Sequence, residues 1–446
     1  MALLRFLRDR QESINICEHT RLQWKVFKQL VRPRCIPLGS VLGDSGRELL
    51  EDHVLIGFSY YGPYLISYKP SGPFNDREFS LHWWLVDLGQ PLKLVKSCNL
   101  FEGFSFGTID TDLRITELKL CVCQKDEENV FVFGYEDKDD SEAKDFYISI
   151  LSPPPSNPTE LNRDQASPSV HLKYQALPPY PLFDPTLSLQ LQDTILVNTG
   201  CTIVAIEKSR SPPLPSLSPS SALSAGGVGC TIVHQSFLLP RGDNASATNV
   251  YSSLTSLSQV VLPVEVYYKE RALVEVSLPS SSSTDPEMRV NVSQYCFDIE
   301  PWLVSTLEDI LLKTVHVNLS SLNDYEMIIC RVCPEDKIVC LLVKVNAASF
   351  SEGTPLYQGY SIKLMCEWNL LKNEARLITH SHPLPISLTQ LNKPLDGRSF
   401  EIDKSDLLFY SPVHGITNSS VLSTGESLLR LDHDFLPLCL VYSEPD

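Results

Sequence analysis

Four short patterns bring together residue types that can do chemistry. Gly43-Asp44-Ser45-Gly46 resembles a loop that carries a serine nucleophile, but it continues Arg47-Glu48 and no His and Asp segments precede it. A triad needs all three groups, so a polar turn is the simpler expectation. Cys330-Arg-Val-Cys333 is a Cys-x-x-Cys, half of a zinc or redox motif. A structural zinc site needs a second pair at suitable spacing. The other close pair, Cys121-Val-Cys123, has one residue between its cysteines and lies far upstream. Both pairs fall in strand-like runs, where Cys behaves as a small apolar residue. Arg241-Gly242-Asp243 is an integrin-type tripeptide that reads as a loop. No phosphate-cradling Gly loop, His-Glu-x-x-His or Gly-x-Ser-x-Gly occurs. The expectation is no catalytic residue, no metal and no cofactor. Exposed-looking aromatics remain: Trp83-Trp84, and Tyr180 and Phe183 within the proline-rich run Pro178–Pro185. They either pack in the core or present a groove to a partner.

The elements that would position these residues are mostly strands. His53–Tyr68 followed by Phe79–Asp87 reads as three short strands separated by Gly/Pro and polar loops. Further runs follow at Leu92–Val95, Glu117–Cys123, Val130–Tyr135 and Phe146–Leu151, with Leu189–Asn198 and Thr202–Glu207 as a hairpin across Thr199-Gly200. Ser209–Gly229 is Ser/Pro-rich and without apolar period, so it is expected to be a disordered linker. Strands resume at Val260–Tyr268, Ala272–Leu278, Glu326–Val332, Lys337–Val345, Gly359–Trp368 and Glu374–His380, and Leu436–Tyr442 suits a closing strand. A helix is expected at Glu300–Lys313, with Trp302, Leu303, Leu307 and Ile310 on one side. The start of the chain is the other helical part. Leu22, Val26 and Leu30 recur at four-residue spacing beside Trp24, Phe27 and Val31, and Arg32-Pro33 ends the pattern. Leu3, Phe6 and Leu7 suit a shorter preceding helix, with Leu3, Leu7 and Ile14 on one side, so a helix–loop–helix is expected. Two short amphipathic helices cannot bury both apolar faces against each other, so they must pack on the body or on another protein.

Composition narrows the function classes. The 446 residues are 43% hydrophobic, enough for a substantial core, and carry 37 basic and 54 acidic groups for a net charge of −17. Such a chain is a poor general binder of nucleic acid, because phosphate contacts need Lys and Arg. Residues 1–35 are the exception, with eight Lys/Arg against three acids, which suits an arm that either folds back on the acidic body or docks on an acidic partner. Nothing at the start resembles a signal peptide and no apolar run is long enough to span a membrane. With 13 cysteines, several in strand-like runs, the expectation is reduced thiols in an intracellular, nuclear or cytoplasmic protein without a membrane.

Taken in order, Gly57-Phe58-Ser59, Gly62-Pro-Tyr64 with Ser67-Tyr68, Leu81-His-Trp-Trp84, Phe131-Val-Phe-Gly-Tyr135, Lys173-Tyr-Gln175, Ile195–Thr199, Asn323-Asp-Tyr325 with Val332-Cys-Pro-Glu335, and Trp368-Asn-Leu370 resemble the cullin-4-associated factor fifteen family. The resemblance implies an all-β, divergent WD-type β-propeller-like fold in two halves with an N-terminal helix-loop-helix. The domains it implies are 1–35 as adaptor-binding segment, 36–208 and 230–446 as the two halves, and 209–229 as the linker. It further implies a non-catalytic substrate receptor of a cullin-4 RING ubiquitin ligase. Leu22, Trp24, Val26, Phe27 and Leu30 would insert into the adaptor, the large damage-specific DNA-binding subunit, which carries cullin-4 and the RING subunit. Pro178–Pro185 corresponds to a family loop that lines a small groove, here with Tyr180 in place of a Phe, so Tyr180 and Phe183 are the substrate-groove candidates. The competing expectation is an intracellular β-propeller scaffold unconnected to ubiquitin, its N-terminal helices packed on its own body.

Overall fold

The structure, a computed structural model, describes residues 34–37, 53–71, 78–104, 118–136, 143–158, 168–209, 227–238, 245–254, 262–268, 289–350, 358–395, 414–417, 430–432 and 438–441, less a few positions inside these ranges. Strands dominate them. In chain order they are β1 (Arg34–Pro37), β2 (Val54–Phe58), β3 (Tyr64–Ser71), β4 (Glu78–Leu85), β5 (Lys93–Leu100), β6 (Leu118–Gln124), β7 (Val130–Glu136), β8 (Lys144–Leu151), β9 (Ser169–Ala176), β10 (Thr194–Asn198), β11 (Thr202–Ser209) and β12 (Cys230–Leu238). After these come β13 (Ala245–Ser246), β14 (Thr248–Leu254), β15 (Val264–Tyr268), β16 (Arg289–Asp298), β17 (Asn318–Cys333), β18 (Ile338–Phe350), β19 (Gln358–Asn369), β20 (Glu374–His380), β21 (Leu384–Ile386), β22 (His414–Thr417), β23 (Arg430–Asp432) and β24 (Leu438–Val441). Three helical pieces are interleaved: α1 (Pro185–Ser188), α2 (Ile299–Val315) and α3 (Leu388–Leu391).

Alternation along each strand sends successive side chains to opposite layers. Strands β2-β3-β4-β5 form one sheet, and the order β13-β15-β9-β8-β7-β6-β22 forms the next. Ile66, Leu81 and Trp83 from the first meet Leu120, Val132 and Tyr147 from the second. The opposite face of the second sheet, with Phe131, Phe133, Ile148, Ile150 and Leu172, meets Ile195, Val204, Ile206 and Val292 of the sheet β10-β11-β16-β12-β14. That sheet in turn offers Leu196, Ile203, Ala205 and Phe297 to α2 and to the sheet β17-β18-β19-β20. Four antiparallel sheets therefore stack face to face, as successive blades do in a propeller-like fold. The two inner sheets are buried on both faces, so Phe131-Val-Phe133 and Ile203-Val-Ala-Ile206 read as continuous apolar runs. On β20, by contrast, half-buried Ala375 and Leu377 alternate with exposed Arg376 and Ile378.

Segments far apart in sequence also pair. Parallel pairing ties β1 to β24 (Arg34 opposite Leu438), and β22 adds to the free edge of β6 (Gly415 opposite Cys123). Two sheets draw strands from both sides of 209–229, since β11 pairs with β16 and β9 with β15. Residues 210–226 lie outside the described residues, but the ends of that segment are built in: Ser209 closes β11, and Gly227 N–H donates to Asn373 O at 2.9 Å. Asp298 N–H donates to Gly229 O at 2.8 Å. Gly229 has φ +77°, and a Cβ there would overlap the Asp298 carbonyl, so only glycine fits this re-entry point.

Helix α2 forms as expected, with Trp302, Leu303, Leu307 and Ile310 all buried. Asp298 caps its first turn and His316 ends it in the left-handed region. Trp302 meets Phe297, which stacks on Trp368 at 5.8 Å, so the helix fills the space between two sheets. Several expectations are corrected. Leu189–Asn198 is a strand only from Thr194, because Asp184 and Pro185 start a helical turn and Asp193 adopts φ 55°. Strands β9, β12, β14 and β16 were not anticipated. On β16 the reason is Gln294, a polar residue in the core-facing register between Val292 and Cys296, which hides the alternation. Its amide is satisfied by both the N–H and C=O of Leu262, at 3.1 and 2.9 Å. The expected strand Ala272–Leu278 lies outside the described residues.

Candidate functional site

The adaptor-binding candidates Leu22, Trp24, Val26, Phe27 and Leu30 lie outside the described residues, as do Gly43–Gly46 and Arg241–Asp243. The expected 1–35 segment overlaps β1 by Arg34 and Cys35, which pair with Leu438 and Cys439.

The groove candidates are described, and they converge. Strands β7, β8 and β9 place Phe133, Phe146 and Tyr174 on the same face of their sheet, each almost fully buried. Phe146 stacks on Tyr174 at 5.1 Å and on Phe133 at 5.8 Å. The loop after β9 returns over these rings. Phe183 lies nearly parallel to Phe133, with centroids 4.3 Å and planes 12° apart, and Tyr180 tilts against Phe146 at 6.1 Å. Lys144 Nζ sits 4.5 Å over the Tyr180 ring, a cation–π contact on a side chain that is itself buried. Asp184 then accepts from Thr186 N–H at 2.9 Å, and Pro185 takes the first helical position of α1, where its missing N–H costs nothing. Tyr180 and Phe183 are therefore half-buried anchors of their loop. One side of each ring rests on the core, and Leu177 earlier in the same loop is 70% exposed. Among the described residues the site is largely aromatic, with the Lys144 ammonium over Tyr180 and the Asp184 carboxylate at its end, the chemistry of a binding surface.

Sequence reasoning singled out Tyr180 and Phe183 but not the platform beneath them. Period-two aromatics at Phe131, Phe133 and Tyr135 were the available signal; the partners Phe146 and Tyr174 come from strands with no such pattern. The other aromatic candidates resolve to packing. Trp83 is fully buried in the first interlayer core, and Trp84 turns to the opposite face and donates Nε1–H to Ser67 Oγ at 2.8 Å.

The Ser149–His171 pair and the Cys330 thiol are sequestered. Ser149 Oγ lies 2.8 Å from His171 Nδ1, a Ser–His pair, but both residues are 0% exposed. Burial, with Lys208 nearby, lowers the His171 pKa to about 3, so the ring is neutral and bridges Ser149 and Ser169 (2.9 Å). Ser149 Oγ also accepts from Phe101 N–H at 2.9 Å, tying the end of β5 to β8. Cys330 Sγ–H donates to Cys340 O at 3.3 Å, and burial pushes its thiol up to about 12. Among the described residues no group of three or more His, Cys, Asp or Glu could hold a metal ion, and no helix is long and apolar enough to cross a membrane.

Comparison with known proteins matches residues 21–209 to a family described as DDB1- and CUL4-substrate receptor 15, WD repeat. The relatives named DDB1- and CUL4-associated factor 15 from Xenopus laevis, Mus musculus and Homo sapiens are each 28% identical over 214 residues. The match covers 42% of this chain and 34% of each relative, so it spans about a third of the relatives' length. The resemblance seen in the residue motifs is to this same family. The matched stretch holds all of β1–β11 and the aromatic platform with its loop.

Proposed function

We propose that the chain is a non-catalytic substrate-recognition subunit of a cullin-4 RING ubiquitin ligase. The observation that carries this reading is the reach of the family match. It starts at residue 21, so it takes in the basic amphipathic stretch with Leu22, Trp24, Val26, Phe27 and Leu30, and it runs through Tyr180 and Phe183 to the end of β11. In this reading the N-terminal segment docks on the ligase adaptor, 36–208 and 230–446 form the two halves of the receptor, and 209–229 links them. Cullin-4 and the RING subunit join through the adaptor, and the β body holds the protein to be ubiquitinated. The chain's contribution is proximity: it places target lysines beside a reactive thioester supplied by others. An apolar, aromatic loop anchored on a buried platform suits protein recognition, because a rigid ring loses little entropy when a partner covers it.

The test is affinity purification of the full chain and of a form lacking residues 1–33, with mass spectrometry of bound proteins. The cut stops before Arg34 so that β1 keeps its pairing with β24. Adaptor and cullin-4 should accompany the full chain and vanish from the truncated one. If neither form retains the adaptor, the fold serves as a scaffold unconnected to ubiquitin.

A further inference from the structure

Cys121 and Cys123 stand two apart on β6 and point to the same face, and their sulfurs touch at 3.3 Å. Cys123 is fully buried among Phe131, Phe133 and Ile150, and Cys121 is half-buried at the margin of that cluster. Two sulfurs bound to one tetrahedral zinc at about 2.3 Å would stand roughly 3.8 Å apart, and among the described residues no third ligand joins them. Direct joining needs the sulfurs to close by roughly 1.2 Å to the ~2.05 Å of a disulfide, but it needs no further ligand. Residues two apart on a strand have Cα atoms about 6.6 Å apart, at the upper edge of the ~4.4–6.8 Å range of disulfides. A bond formed there would bend β6 and be readily reduced.

We propose that Cys121 and Cys123 form a peroxide-responsive dithiol, with Cys121 the attacking and Cys123 the resolving sulfur. The Cys121 thiolate attacks one oxygen of a hydroperoxide. The O–O bond breaks, Cys121 becomes a sulfenic acid, and the leaving oxygen departs as water or an alcohol after taking a proton. The Cys123 sulfur then attacks the sulfenic sulfur, the S–O bond breaks, and the hydroxyl leaves as water with the Cys123 proton. The two thiols lose two electrons and two protons, and the peroxide gains them. The polarity of the pair follows from its surroundings. A hydrogen bond from Cys123 holds the Cys121 thiol below its ordinary value against the opposing effect of burial. That same hydrogen bond, then burial and the nearby Cys121 and Asp184 charges, push Cys123 well up. Cys230, Cys296 and Cys330 are instead pushed up to about 12 by burial, which suppresses their thiolates. Because Cys121 and Cys123 pair directly with Phe133 and Phe131 on β7, closing the bond would disturb the platform under Phe183.

The experiment is peroxide titration of the full-length folded protein, followed by alkylation and tryptic mass mapping. Cleavage after Lys119 and Lys125 isolates both sulfurs in one peptide, Leu120–Lys125, with no other cysteine. That peptide should lose two hydrogens at a peroxide dose at least about tenfold below that needed for Cys296 or Cys366, and dithiothreitol should restore them. Cys123→Ser should leave a sulfenic acid on Cys121 that dimedone captures, and Cys121→Ser should protect Cys123. Two alkylatable thiols remaining at a dose that oxidises exposed Cys201 would overturn the proposal, as would undiminished oxidation of Cys123 in Cys121→Ser. Where a variant loses its strand circular dichroism, the wild-type peptide decides alone.

Discussion

Removing the Phe183 ring is the most direct probe of the aromatic site. Truncating a fully buried Phe costs about 3–5 kcal/mol; Phe183 is half-buried, so Phe183→Ala should cost roughly 2 kcal/mol. About 0.5–1.5 kcal/mol of that belongs to the stack on Phe133, given the 4.3 Å separation and 12° tilt. The loss falls on the loop, because Phe183 precedes the Asp184 cap of α1. The reporters are the amides of Leu187, Ser188 and Leu189, which donate to Asp184 O and Pro185 O at 3.1, 2.8 and 3.2 Å. If these amides exchange through local opening, 2 kcal/mol speeds their hydrogen exchange about thirtyfold. Strand amides of β10 and β11 should be unaffected. A cycle with Phe133→Ala isolates the pair, and a coupling near 1 kcal/mol is expected. Unchanged exchange at 187–189 in Phe183→Ala, or additive effects of the two substitutions, would show that the rings do not hold the loop and would remove the physical basis of the site.

Three further outcomes are expected, the first two from contacts in the structure and the third from the proposed docking. His171 has its pKa lowered from 6.5 to about 3 by burial. The unfolded chain therefore binds a proton that the folded one refuses, and stability is full above pH ~6.5 and falls as pH drops toward 3. The loss at pH 5 should be about 2 kcal/mol, read as a falling urea midpoint, and a neutral His171→Gln should flatten that slope relative to the parent. Gly229→Ala should cost about 3 kcal/mol or more, from left-handed strain and overlap with Asp298 O; a unchanged urea midpoint would contradict the geometry of the re-entry turn. Replacing Phe27 and Leu30 together with Asp should abolish adaptor capture while the strand circular dichroism stays intact; adaptor retained by the folded double variant would sink the docking assignment.

Much of the local structure was legible in the residues. Helix α2 follows from Trp302, Leu303, Leu307 and Ile310 recurring on one face, and the β10–β11 hairpin from Thr199-Gly200, where Gly200 adopts φ +99°. These signals are short-range: a helix repeats every few residues, and a tight turn is set by one glycine. The family resemblance was equally legible, because it rests on ordered motifs such as Leu81-His-Trp-Trp84. Only the tertiary structure decided which strands share a sheet. β11 finds β16 across the Ser/Pro-rich segment, and β6 accepts β22 from near the carboxyl end. Side chains alternate with period two whichever neighbour a strand takes, so the pattern records a face and not a partner. The same limit hid the site. Tyr180 and Phe183 stood out as aromatics among prolines, but Phe133, Phe146 and Tyr174 became their platform only when β7, β8 and β9 came into register. Contact between Cys121 and Cys123 was likewise invisible, since two residues on one strand face touch only when their neighbours turn the side chains toward each other.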